Sequence, residues 1–148
     1  MKIKIFTIGF TQKSAEVFFS LLMKANVSKI IDIRLNNSSQ LAGFAKGNDL
    51  KYFVKKICGI DYEHDVNLAP TGELLKAYKD KQVGWDKYKA EYKLILDKRN
   101  ILQNININDL HQCCLLCSEH LPDFCHRRLL AEYLQHSHND VEIIHLVK

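Results

Sequence analysis

Near the beginning of the chain, two runs rich in isoleucine, 2–8 and 27–33, enclose a segment with the periodicity of an amphipathic helix. The β-branched residues of the two runs predict strands, and the segment 15–25, with Ser14 as its candidate N-cap, predicts a helix. Strand, helix and strand in this order form a βαβ unit, whose strands pair in parallel through a right-handed crossover. This unit restricts the chain to folds with a parallel sheet.

The rest of the chain continues the same alternation. Further helices are predicted over 49–57, 71–78 with Thr71 as candidate N-cap, 85–98 and from Pro122 or just after it, and further strands over 60–64, 113–117 and 141–146. Such an alternation predicts a three-layer α/β/α fold, a single domain over residues 1–148 with a mostly parallel sheet of about five strands. In the helix over 49–57 we expect Leu50, Phe53, Val54 and Ile57 to face inward.

Composition limits the class of protein. The 148 residues can bury one sizeable core, and their net charge of +4 permits an anionic ligand without requiring nucleic acid. No apolar run approaches the roughly 18 residues of a membrane span, and residues 1–5 resemble the start of a strand more than a signal peptide. We therefore expect a cytoplasmic protein that does not associate with a membrane.

The chain has five cysteines, at positions 58, 113, 114, 117 and 125. An odd number without a secretion signal argues against a disulfide framework. Within the strand 113–117, alternate thiols point to opposite faces, so this cluster presents no pair with the spacing of a zinc site. We expect no metal and no cofactor. A role of the thiols in metal binding or oxidation stays as an alternative.

The densest group of reactive side chains follows the strand 113–117. Between Cys117 and Arg128 the sequence places thiol, carboxylate, imidazole and guanidinium groups. A tight turn from a strand into a helix brings such groups to the carboxyl edge of the sheet, where open α/β sheets bind ligands. Helix amides and arginines favour an anion there, and a thiol in the same field shifts toward thiolate.

Three residues of this turn are candidate catalytic groups. Cys117, at the end of the strand, is a candidate nucleophile, with a role as a small core residue as the alternative. Glu119 is a candidate general acid or base, and the alternatives are helix capping and an ion pair with Arg127. His126 is a candidate proton carrier, and a hydrogen bond to a loop carbonyl is its alternative.

Candidate substrate-binding residues come from two places in the sequence. Asp32 and Arg34 end the second strand, and Arg127 lies at the start of the helix after the cysteine turn. If the first two strands and the strand 113–117 lie close together, these groups surround one pocket with the catalytic candidates. The alternatives are an Asp32–Arg34 ion pair that fastens the loop 36–48, and a buried Arg127 that pairs with Asp32.

Two further residues are assigned to substrate binding. Lys46 lies in the long loop after the second strand, and such loops often serve as lids, although a solvated surface loop is the alternative. His64 follows a predicted strand and could reach the same crevice. The lysines of 76–98 form either a solvated helix face or a basic patch for nucleic acid.

Several short motifs resemble those of one family. They are Thr7-Ile8-Gly9-Phe10, Asp32-Ile33-Arg34, Gly59-Ile60-Asp61-Tyr62 with His64, Leu68-Ala69, and Leu116-Cys117-Ser118-Glu119 leading to Cys125-His126-Arg127. Through them the chain resembles, over nearly its full length, the family called domain of unknown function 488. The last motif is the most specific. The resemblance implies a compact α/β fold and brings no established activity, cofactor or substrate.

Three functions are compatible with these residues. The first is an enzyme that acts on a phosphorylated or nucleotide-like anionic substrate, so that the expected partner is an anionic small molecule or nucleotide. The second is a module that binds or processes nucleic acid, and salt-dependent binding would distinguish it. The third is a thiol site for metal or redox chemistry. The sequence predicts neither the reaction nor the oligomeric state, and it leaves enzymatic activity itself open.

Overall fold

A parallel sheet forms the centre of the structure, a computed structural model that describes residues 2–38, 43–119 and 121–147. Within these ranges the strands are β1 (Ile3–Gly9), β2 (Lys29–Asp32), β3 (Asp61–His64), β4 (Cys113–Cys117) and β5 (Val141–Leu146). Their order is β3-β2-β4-β1-β5, and each neighbouring pair is parallel. The predicted α/β class is confirmed, and β4 lies between β1 and β2, so these three strands lie close together as expected.

The helices occupy the connections between the strands. They are α1 (Ala15–Lys24), α2 (Gly47–Phe53), α3 (Gly72–Lys79), α4 (Trp85–Lys98), α5 (Ile101–Asn104) and α6 (His126–Ser137). Short 3₁₀ turns cover Gly43–Ala45, Val66–Leu68 and Ile107–Leu110. Among the described residues, none of these helices has the length and apolar character needed to cross a bilayer.

Helices cover both faces of the sheet, which gives the three predicted layers. On one face α1 and α2 pack against Phe6, Ile8 and Leu116. On the other face α3, α4, α5 and α6 pack against Ile5 and Leu115. Successive residues of β1 and β4 therefore alternate between two cores, as the period of a strand requires.

Two N-caps predicted from the sequence are confirmed. The Ser14 hydroxyl accepts a hydrogen bond from the Val17 backbone N–H at 3.2 Å, and the Thr71 hydroxyl accepts one from the Leu74 N–H at 3.2 Å. Each bond satisfies an amide that has no partner inside the first helical turn. These caps fix where α1 and α3 begin.

Two predictions about helices were wrong. Ile57, expected to face inward, is 47% exposed, because α2 continues into a π-helical turn over Val54–Cys58. The i→i+5 bonds of that turn add a residue per turn and rotate its last side chains outward. α6 begins at His126, later than predicted, since the residues before it form a turn in which the Cys125 N–H donates to the Pro122 carbonyl at 3.2 Å.

The crossovers run in opposite directions on the two faces of the sheet. Along the face of α1 and α2, the chain passes from β1 to β2 and on to the edge strand β3. Along the other face it returns to β4 and then passes to β5. The two directions diverge between β2 and β4. The carboxyl ends of these neighbours therefore border a crevice of the kind in which α/β sheets bind ligands.

Candidate functional site

A cavity of about 390 Å³ lies where the directions of the chain diverge, and we call it the switch-point cavity. The loop after β2 supplies Arg34, Leu35 and Asn36, and the loop after β4 supplies Ser118 and Glu119. The helices α3, α4 and α6 and the turn before α6 complete the wall with Leu75, Tyr78, Lys79, Tyr88, Phe124, Cys125 and His126. The cavity is thus mostly apolar and aromatic, with a few polar groups, as ligand pockets generally are.

Arg34 lines this cavity and is buried, with only 4% of the residue exposed. Its Nε and Nη2 donate to the two carboxylate oxygens of Asp32 at 2.9 and 2.7 Å, and Nη2 also donates to the Ala45 carbonyl at 2.7 Å. The Phe10 ring centre lies 5.1 Å from the guanidinium carbon. Nη1 has no hydrogen-bond partner among the described residues. An acceptor on a ligand would satisfy this buried donor, whose desolvation costs about 1–3 kcal/mol.

Asp32 lies behind Arg34 and is fully buried. It accepts the two bonds from the guanidinium, a third from the Arg34 backbone N–H at 3.2 Å and a fourth from the Tyr62 hydroxyl at 2.5 Å. Burial, followed by this last bond, raises the pKa of Tyr62 to about 12, so the hydroxyl keeps its proton at neutral pH. Asp32 therefore holds the guanidinium in one orientation.

Glu119 lines the cavity together with Tyr78, Tyr88 and Phe124, which belong to an aromatic cluster that also includes Trp85. Burial raises the pKa of the Tyr78 and Tyr88 hydroxyls, and the Glu119 carboxylate makes a smaller contribution to both increases. The Tyr78 and Tyr88 rings stack with centres 4.4 Å apart, and Trp85 meets Phe124 edge-on at 5.3 Å. The cavity therefore combines a carboxylate with ring faces on which a planar group can stack.

Two thiols and an imidazole converge beside the cavity. Cys117 ends β4, Cys125 precedes α6, and their sulfur atoms are in direct contact as a bonded pair. The sequence did not predict this bonded pair, because the two cysteines meet only when the strand, the turn and the helix fold together. His126 Nε2 donates to the Ile33 carbonyl at 2.9 Å, and burial lowers its pKa to about 4, so the ring is neutral.

Arg127 lies behind the cavity wall, with none of its surface exposed. Its Nε donates to the Thr7 hydroxyl at 3.2 Å, and its Nη1 donates to the backbone carbonyl of Glu119 and approaches the Cys117 sulfur at 3.5 Å. The alternative in which Arg127 pairs with Asp32 is not formed, because Arg34, two residues further along the chain, occupies that carboxylate as the other alternative proposed. Arg127 joins β1, the loop after β4 and α6 in one network.

Gly9 explains how the loop after β4 comes so close to β1. A Cβ atom at this position would overlap the Glu119 carbonyl oxygen and lie 2.5 Å from Arg127 Nη1. No side chain fits at Gly9 without moving that loop. Because glycine has no side chain, the Arg127 guanidinium can donate a hydrogen bond to the Glu119 carbonyl above the strand. The glycine therefore helps to position the segment that carries Glu119.

Lys46 and His64 lie away from the switch-point cavity. His64 Nε2 donates to the Arg34 carbonyl at 2.7 Å, and the residue lines a second cavity of about 760 Å³ beside β3. We call this the edge cavity, whose wall includes Lys29, Lys51, Lys55, Asp61, Glu63 and His64. Lys46 precedes α2 and lines neither cavity among the described residues. Residues 39–42 of the predicted lid loop lie outside the described residues.

The sequence profile of the family described as Domain of unknown function DUF488 matches residues 14–134. The chain belongs to this family. The match includes both loops of the switch-point cavity and the segment from Cys117 to Arg127, and it leaves out β1 and β5. No curated protein and no solved structure matches the chain significantly. Membership in the DUF488 family therefore identifies the relatives of the chain without naming a substrate.

Sequence reasoning missed part of the cavity wall in this DUF488 member. Leu75, Tyr78 and Lys79 come from α3, whose position over the crevice depends on tertiary packing. Their spacing of three and four residues is the available signal, because it places them on one helical face. Cys125 was counted among the thiols but not assigned to the site, although it lies beside His126 in the most specific family motif.

Proposed function

We propose that this DUF488 protein is an enzyme that binds a small, nucleotide-like anion in the switch-point cavity. The buried guanidinium of Arg34 carries the proposal, because it lines the cavity and keeps one nitrogen without a partner among the described residues. Its other nitrogens are held by Asp32 and Ala45. Little side-chain entropy is therefore lost when Nη1 binds an anion, and a charge-assisted bond contributes about 1.5–3 kcal/mol.

The aromatic cluster supports a ligand that joins its anionic group to a planar ring. Tyr78 and Phe124 are rings of the cavity wall that are not buried, and stacking on aromatic side chains binds bases without demanding one base in particular. The volume of about 390 Å³ lies within the usual range for small-molecule pockets. A nucleotide combines both chemical features.

Glu119 supports catalysis rather than binding alone. Glu119 lines the same cavity as Arg34 and His126, and its carboxylate contributes to the raised pKa of the Tyr78 and Tyr88 hydroxyls in that wall. A carboxylate among groups that stay protonated is suited to accept and return a proton. Glu119 is therefore the acid or base of the proposed enzyme.

Calorimetric titration of the full chain tests this proposal with inorganic phosphate, nucleoside monophosphates and the matching nucleosides. We expect the monophosphates to bind about 10-fold or more tightly than the nucleosides, as one charge-assisted bond implies. Arg34→Lys keeps a cation beside Asp32 but removes Nη1, so it should erase that preference. Lys79→Ala should weaken binding of the monophosphates, while Lys76→Ala, on the same helix outside the cavity, should not. Equal affinities for both ligand classes would contradict the proposal.

A nucleic-acid module is the second candidate, and one observation favours it. Phe124, at the cavity wall, is 62% exposed, and nearby in sequence Leu121 is 53% exposed. An exposed ring at a cavity mouth can stack on an unpaired base of a longer strand. Titration with single-stranded oligonucleotides decides between the two. Tighter binding than for mononucleotides, with a steep salt dependence that Phe124→Ala removes, would favour the module.

A further inference from the structure

We propose that Cys117, Cys125 and His126, once the bond between the two sulfur atoms is reduced, bind a divalent transition metal of the zinc class beside the switch-point cavity. One ligand atom from each of the three residues lies within 4.8 Å of the others, and all three residues are buried. Two thiolates and an imidazole are the donors that zinc prefers. Cys117 and His126 would then act as metal ligands instead of the nucleophile and proton carrier predicted from the sequence.

The backbone separation of the two cysteines suits a bridging ion. Their Cα atoms lie 7.8 Å apart, beyond the range of about 4.4–6.8 Å usual for directly bonded cysteines. A metal ion between two sulfur atoms lengthens the connection by one atom. The two cysteines also come from different elements, the end of β4 and the residue before α6, so a bound ion would tie the central strand to the following helix.

The hydrogen bond of His126 prepares its ring for a metal. A carbonyl oxygen only accepts, so the contact between Nε2 and the Ile33 carbonyl at 2.9 Å places the ring proton on Nε2. Nδ1 is then the nitrogen with a free lone pair. Histidine ligands in metal sites typically donate their other ring N–H in this way, which fixes the tautomer and the orientation of the ring.

The surroundings also favour the thiolate form that metal binding requires. Arg127 Nη1 approaches the Cys117 sulfur at 3.5 Å, and Cys125 occupies the N-cap position of the twelve-residue helix α6, where the helix dipole favours negative charge. When Zn²⁺ binds, each thiol releases one proton to solvent. Two thiolates and a neutral imidazole then balance the dication, so the buried site carries no net charge.

Three protein ligands leave one position of a tetrahedral ion for water or substrate, as in catalytic zinc sites. Cys125 and His126 line the switch-point cavity together with Glu119, so that position would face the space proposed to hold the anion. This part rests on the proposed function, in which Glu119 moves protons and would take one from a metal-bound water. The binding of the metal itself does not depend on it.

Metal binding is testable on the full chain, reduced with a phosphine, stripped with a chelator and titrated with Co²⁺ and then Zn²⁺. We expect one ion per chain and the thiolate-to-cobalt absorption bands of a tetrahedral site. Cys125→Ser should keep the fold, because serine is a favoured N-cap, and should weaken Co²⁺ binding about 100-fold or more. Cys58→Ser, at a free cysteine away from the cluster, is the matched control and should leave both signals unchanged.

Two outcomes would overturn the metal site. One is a reduced, folded protein that takes up no Co²⁺ or Zn²⁺, which would make the cysteine pair a simple disulfide. The other is metal uptake that Cys125→Ser leaves intact. Failure of the anion proposal is distinguishable, because a protein that gives the cobalt bands but does not prefer nucleoside monophosphates keeps the metal site and loses the proposed ligand.

Discussion

The switch-point cavity and the edge cavity both have ion pairs, but the pairs differ in their exposure to solvent. The edge cavity is about twice as large, and its pairs are at the surface: Lys29–Glu63 at 3.3 Å and Lys55–Asp61 at 3.1 Å, the latter with side chains 64% and 69% exposed. In the switch-point cavity the Arg34–Asp32 pair is 4% and 0% exposed. A buried ion pair with an unsatisfied donor is therefore a better indicator of a ligand site than the volume of a cavity or the number of charges that line it.

The physical reason is the cost of leaving water. Exposed pairs exchange one well-solvated state for another, and their contribution to stability is about 0–1 kcal/mol. A buried pair loses its hydration and must recover it through hydrogen bonds of good geometry. Asp32 recovers it through four bonds, whereas Arg34 keeps Nη1 unsatisfied among the described residues. That imbalance is absent from the Lys29–Glu63 and Lys55–Asp61 pairs of the edge cavity, whose side chains reach solvent.

The largest expected effect tests this contrast through stability. Arg34→Ala leaves the buried Asp32 carboxylate without its guanidinium, and breaking a buried pair in this way should cost about 3–5 kcal/mol in the free energy of unfolding. Lys29→Ala, in the edge cavity, should cost about 1 kcal/mol or less. Urea denaturation at neutral pH measures both, provided the m-values agree. Equal costs would mean that the buried pair has no special role.

The second prediction compares a carboxylate from each cavity. Glu119→Gln should leave the fold intact but lower the turnover of any bound nucleotide about 100-fold, the smaller end of the usual contribution of an acid or base. Glu63→Gln removes the same charge from the edge cavity and should change turnover little. Product formation, separated by chromatography, measures both variants. Full turnover in Glu119→Gln would contradict the role of Glu119 as acid or base. The cavity would then have a binding residue, Arg34, but no assigned catalytic residue.

The comparison also shows what the sequence could and could not predict. The strands, their parallel pairing and the place of Arg34 and Glu119 at neighbouring strand ends follow from local periodicity and from the crossover rule. The partner of each arginine does not follow, because Asp32 could reach either one. Arg34 lies two residues away and takes the carboxylate, while Arg127 bonds Thr7 and a backbone carbonyl that no sequence pattern specifies.

Tertiary packing likewise decided the placement of the thiols and of His64. The spacing of the cysteines in β4 correctly predicts alternate faces, since Cys113 and Cys117 share one core and Cys114 lies in the other. It says nothing about Cys125, which meets Cys117 only because the turn before α6 folds back. His64 ends β3 at the sheet edge, on the far side of β2 from the crevice, so it lines the edge cavity instead.

The smallest expected effect concerns Tyr62, which lines the edge cavity but hydrogen-bonds Asp32 behind the other cavity. Tyr62→Phe should cost about 1.5 kcal/mol at neutral pH, the lower end for a bond to a charged group. Burial and this bond raise the pKa of Tyr62 to about 12 in the folded state, against about 10 when unfolded. A raised pKa contributes stability below pH 10 that is lost as the pH rises toward 12.

The urea midpoints of the wild type and of Tyr62→Phe should therefore be measured between pH 8 and about 12. Other tyrosines also titrate in this range, so only the difference between the two midpoints reports on Tyr62. We expect the wild type to lose stability more steeply than Tyr62→Phe above pH 10, so that the two curves converge. Parallel curves would mean that Asp32 does not depend on the Tyr62 proton. The arginine would then hold the carboxylate alone, and the two cavities would be energetically independent despite the side chain between them.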